Sequence, residues 1–195
     1  MAKVLKNIKP DRFNDLKEVY DTRPVYQGNN TVRLFPPNPS GEDTKNSYKG
    51  NPLPGDTNYD LLGIGLELIP SVLVADAANN VSPVSIINTI VGSGILNFEV
   101  DGGRERAFST PCSEFFDLRS LTSDPESGVI SISSDEVFKL PDPFVLEANR
   151  QFRIELQYKD TGALPTEAEW GASEDNASML GVRAILQFNQ YENAF

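Results

Sequence analysis

Leu140–Tyr158 reads LPDPFVLEANRQFRIELQY. It opens on a turn bounded by Pro141 and Pro143, runs through Phe144-Val145-Leu146, and rounds a polar corner at Glu147-Ala148-Asn149-Arg150. It then alternates, with Phe152, Ile154, Leu156 and Tyr158 on one side and Arg153, Glu155 and Gln157 on the other. Successive strand side chains point to opposite faces, so this pattern predicts a strand packed on one side and wet on the other. Val182–Phe188 near the C-terminus has the composition to pair with it.

Working outward, the same signals recur. Leu62, Ile64, Leu66 and Leu68 share a predicted strand face, with Gly63, Gly65 and Glu67 opposite. Ile95–Phe108 predicts a hairpin: Leu96, Phe98 and Val100 point inward, and Asp101-Gly102-Gly103 tolerates the positive φ of a tight turn. Val129–Ser133 predicts a short strand with Ile130 and Ile132 inward. Val84–Val91 is β-branched and reads as strand, although Ser82-Pro83 also suits a helix start. Short strands joined by irregular connections, with no internal repeat, predict an all-β sandwich, Greek key or jelly roll.

The N-terminal third differs. In residues 1–20, Phe13, Leu16, Val19 and Tyr20 carry a weak helical spacing. Residues 21–60 are rich in Pro, Gly, Asn, Ser and Thr, and Pro36-Pro37-Asn38-Pro39 and Asn51–Gly55 continue neither helix nor central strand. Large apolar groups are scattered through it. The division expected is an extended N-terminal arm over 1–60 and a β-sandwich domain over 61–195. Phe13, Tyr20, Tyr26, Phe35 and Tyr48 are the arm residues expected to contact a neighbouring subunit, and removal of residues 1–55 is expected to leave a folded body.

Composition narrows the function classes. The 195-residue chain carries a net charge of −11. Residues 1–60 hold 9 Lys+Arg against 8 Asp+Glu, and the remainder holds 8 against 20. The acidic body repels nucleic acid and anionic membrane, so no sequence-specific nucleic-acid binding is expected, and contact with a polyanion falls to the arm. No apolar run reaches the length of a membrane span, and Met1–Phe13 does not read as a signal peptide. Absence of histidine removes the commonest general base and most zinc sites. Cys112 stands alone and reads as a small core or loop residue. Glu67, Glu99, Glu105, Asp117 and Glu155 lie in or near strands, where two carboxylates facing across a cleft suffice for glycoside hydrolysis; solvated faces are the plainer reading. Asp56, Asn58, Asp60 and Glu67 occupy positions one, three, five and twelve of a calcium loop, but Leu61 stands where that loop wants glycine. No catalytic residue and no cofactor are expected.

These parts together resemble viral jelly-roll capsid subunits, in the style of the coat proteins of tailless icosahedral bacteriophages, often those with an internal membrane. The resemblance covers about residues 60–190. It rests on the Pro143–Leu146 run, the Asn149-Arg150-Gln151 corner, the Phe152–Leu156 strand, the variable stretch Lys159–Ser178, the final strand Val182–Phe188 and the earlier Gly94–Gly103 strand and turn. It implies a single jelly roll with an N-terminal arm, a structural virion protein that self-assembles through trimeric or ring-like capsomers. It also implies other virion proteins as partners, and an arm directed towards membrane or genome. The alternative is a β-sandwich binding module for carbohydrate or a cell surface, such as a phage spike or fibre head, with Tyr158, Trp170 and Tyr191 as stacking residues.

Overall fold

A computed structural model describes residues 15–36, 57–69, 72–74, 82–100, 105–117, 121–124, 129–132, 137–146, 150–166 and 180–192. Its strands are β1 (Asp15–Pro24), β2 (Thr31–Leu34), β3 (Thr57–Ile69), β4 (Val72–Val74), β5 (Ile95–Val100), β6 (Glu105–Pro111), β7 (Thr122–Asp124), β8 (Val129–Ser131), β9 (Phe138–Leu146), β10 (Phe152–Gln157) and β11 (Gly181–Glu192). The fold is all-β. One four-stranded antiparallel sheet runs β1-β11-β3-β9 and a second runs β2-β10-β5-β6. Around the β5–β6 hairpin the pairings nest, with β3 on β9, then β2 on β10, then β1 on β11.

Alternation explains how the sheets meet. Leu96, Phe98 and Val100 of β5 and Phe152, Ile154 and Leu156 of β10 are buried from one sheet. Leu61, Ile64, Leu66 and Leu68 of β3 and Val182, Ala184, Leu186 and Phe188 of β11 are buried from the other. Phe98 meets Phe144 of β9 edge-on with centroids 5.6 Å apart, an aromatic contact between the two sheets. On β3 the register shifts between Leu61 and Gly63, so Leu61 rather than the expected Leu62 joins the core face. The shift faces Leu140–Pro143: Leu61 aligns with Phe144, but Gly63 aligns with Lys139. Prolines donate nothing to a ladder, which suits β9 to a sheet edge.

Four further expectations change. Residues 15–24 form a strand rather than a helix, with ten consecutive residues in register against β11. With β2, they make residues 15–36 part of the two sheets rather than of an arm; residues 1–14 and 37–56 lie outside the described residues. Second, β11 does not pair with β10, because it is taken up between β1 and β3 in the other sheet. Third, Pro83–Ile87 is helical and continues into a π turn over Asn88–Gly92. Pro83 pre-sets the first helical φ, and Ile86, Ile87, Ile90 and Val91 then fall on one buried face, which outweighs their β propensity. We call this helix α1. Fourth, Phe35 is a core residue, buried against Phe152 at a ring separation of 5.7 Å.

The connections divide between the two ends. Strand ends Pro24, Ile69 and Gly181 of the first sheet lie with Thr31, Ile95, Pro111 and Gln157 of the second at one end, because the β1–β2 turn joins them there. This connector end also carries α1, a 3-10 turn at Cys112–Phe115, and a small sheet of order β4-β8-β7. That sheet is composite: β4 belongs to the insertion between β3 and β5, and β7 and β8 to the one between β6 and β9.

Candidate functional site

The even-numbered positions of β5 and β10 are buried in the core, so the odd ones stand on the other face of their sheet, where Asn97, Glu99 and Glu155 are buried as well rather than wet as expected. The register sets Arg33 beside Glu155 and Glu155 beside Asn97, with Arg153 beside Glu99 in the adjacent row. Opposite charges directly across strands attract, and these do. Arg153 Nη2 donates to Glu99 Oε2, and Arg153 Nε lies 3.7 Å from Glu155 Oε2. Arg33 Nε donates to Glu155 Oε2 at 3.4 Å, and Gln157 Nε2 donates to its Oε1 at 2.8 Å. Of the five carboxylates singled out from the sequence, the structure thus brings Glu99 and Glu155 onto one face. Each is engaged by an arginine on that face, not turned towards a partner across a cleft. Glu67 lies on the other sheet, accepting from Arg183 Nη1 at 3.2 Å. The side chain of Glu105 lies outside the described residues, and Asp117 follows the 3-10 turn at the connector end.

At the connector end the β1–β2 turn is fastened to the chain leaving β10. Gln27 N donates to the Pro165 carbonyl at 2.7 Å, and Gly28 N, at φ 88°, donates to Thr161 Oγ1 at 3.0 Å. Asn30 binds Tyr158 twice: its carbonyl accepts from Tyr158 N at 2.9 Å, and its Nδ2 donates to the Tyr158 carbonyl at 3.1 Å. Tyr158 is therefore not an exposed stacking residue. Its ring is buried, and its hydroxyl has no hydrogen-bond partner among the described residues.

Next to that ring sit Gly94 and Cys112. Cys112 N donates to the Gly94 carbonyl at 2.8 Å. A Cβ on Gly94 would lie 2.3 Å from the Ile90 carbonyl oxygen, 2.8 Å from Cys112 Sγ and 3.1 Å from Tyr158 Cε1. Gly94→Ala is accordingly expected to cost about 3 kcal/mol or more, the upper end of overpacking costs. The nearest obstacle is backbone of the π turn, so adding Cys112→Ala is not expected to rescue it. Urea midpoints of the single and double variants check this, and full recovery in the double variant would mean the sulfur, not the carbonyl, is the obstacle.

Burial pushes the Cys112 thiol up from its ordinary 9.0 to about 12. Burial, and secondarily Cys112 itself, pushes Tyr158 well above its ordinary 10.0. Such a thiol is a poor nucleophile, as expected for a core cysteine. Above pH 9 the unfolded chain releases these protons while the folded chain keeps them, so the unfolded state binds fewer protons and stability falls as pH rises. The loss is expected at about 1.4 kcal/mol per pH unit for each group past its unfolded value. Alkaline denaturation between pH 8 and pH 12 measures the slope, and Cys112→Ala is expected to flatten it from about pH 9 upward; an unchanged slope would show that the thiol ionises freely in the folded protein.

The remaining sequence candidates separate. Thr57–Ile69 is one continuous strand, so no calcium loop folds around Asp60 and Glu67: seven residues of strand hold them about 23 Å apart. Asp56 and the side chain of Asn58 lie outside the described residues, among which no three acidic or cysteine side chains gather for a metal. Tyr20 lies on β1 with the Arg183 guanidinium 4.9 Å from its ring centre, and Tyr26 is packed against the core. Phe13, Tyr48, Trp170 and the side chain of Tyr191 lie outside the described residues.

The residue that sequence reasoning missed is Asp21. It is fully buried, and its Oδ2 accepts from Phe35 N at 2.5 Å and from Arg23 Nε at 3.2 Å. Phe35 has φ 57°, a conformation costly for a residue with a Cβ. No apolar alternation in the sequence marks it, because, of the alternate positions Asp15, Lys17, Val19 and Arg23, only Val19 is apolar.

No family model, no curated protein and no solved structure matches this chain. Among the described residues, no helix is long and apolar enough to cross a membrane.

Proposed function

We propose that the chain is a jelly-roll coat subunit, a structural virion protein that assembles with copies of itself into an icosahedral shell. The observation that carries this reading is the strand order. Leaving aside the small inserted sheet, eight strands form β1-β11-β3-β9 and β2-β10-β5-β6, pairing first with eighth, second with seventh, third with sixth and fourth with fifth. A jelly roll is wound in this way, and viral coat proteins are among its principal users. The chemistry is consistent with a building block: the clustered carboxylates serve as partners of arginines, and the elaboration is concentrated in connectors at one end of the sandwich. In this reading the partners are further copies in trimeric or ring-like capsomers and other virion proteins, and residues 1–14 supply the contact with neighbours, inner membrane or genome.

Light scattering on the purified chain, followed by negative-stain imaging of large species, tests the proposal. Trimers, rings or shells are expected. A monomer at every salt and protein concentration, alone and with co-expressed virion components, would overturn it.

A further inference from the structure

We draw no further inference here: the strongest candidate, the exposed apolar side chains Val84, Ile95 and Leu121 at the connector end of the sandwich, carries nothing because nothing in the structure shows what covers them.

Discussion

A chain beginning at Asp56 is expected not to fold. Deleting residues 1–55 removes β1 from the edge of one sheet and β2 from the edge of the other. It also takes Val25, Val32, Leu34 and Phe35 out of the core. At roughly 1.5–3 kcal/mol for each fully buried side chain, the four contribute about 6–12 kcal/mol. That is comparable to the whole stability of an ordinary domain, about 5–15 kcal/mol. The deletion further bares the backbone edges of β11 and β10, which then offer unpaired groups to other chains. Circular dichroism and a thermal melt of the truncated protein check this; loss of the cooperative transition, with aggregation, is expected. A melt within a few degrees of the full chain would mean that β1 and β2 are dispensable. Removing residues 1–14 instead leaves every described strand intact, so that shorter deletion is the fair test of an assembly arm.

Asp21→Ala is expected to lower stability by about 3–5 kcal/mol, the range for removing one partner of a buried ion pair. The Asp21 side chain is 0% exposed and that of Arg23 17%, so solvent gives the arginine little compensation. The substitution also takes away the acceptor that holds Phe35 N–H while that residue is in the left-handed region. Asp21→Asn keeps an acceptor for this N–H and loses only the charge, so its cost should fall between wild type and alanine. Urea denaturation with an unchanged m-value reads both differences. If the alanine variant lies within about 1 kcal/mol of wild type, the carboxylate is not what holds the chain leaving β2 against β1.

What could be read from the sequence was what neighbouring residues decide among themselves. The β5–β6 hairpin was legible because alternation and turn residues lie in one short stretch. The inward face of β10, from Phe152 to Tyr158, was legible for the same reason. Partner choice was not: β11 and β10 both carry good strand patterns, and nothing local says that β11 must be taken up by β1 and β3. Two segments were misread because competing effects masked their period. In β1 the alternate positions Asp15, Lys17, Val19, Asp21 and Arg23 are charged apart from Val19, so no apolar alternation shows, leaving the helical spacing of Leu16, Val19 and Tyr20 as the visible signal. In Val84–Val91 the β-branched side chains favoured a strand, but burial of Ile86, Ile87, Ile90 and Val91 together favoured a helix begun by Pro83. At the charged face, alternation predicts Glu99, Arg153 and Glu155 outward; their mutual pairing depends on the inter-strand register, which no local pattern encodes.

The nested pairing also sets a timetable for synthesis. β1 pairs only with β11 in its sheet, and β2 only with β10. The first strands to leave the ribosome therefore have no lasting partners until the last ones emerge. At about 5–20 residues per second, that wait is on the order of 10–30 s. During it, the exposed edge of β1 and the apolar residues of β2 are available to any other nascent chain. Among many copies made side by side, the C-terminal strands are thus the step that decides whether a chain closes on itself or on its neighbour.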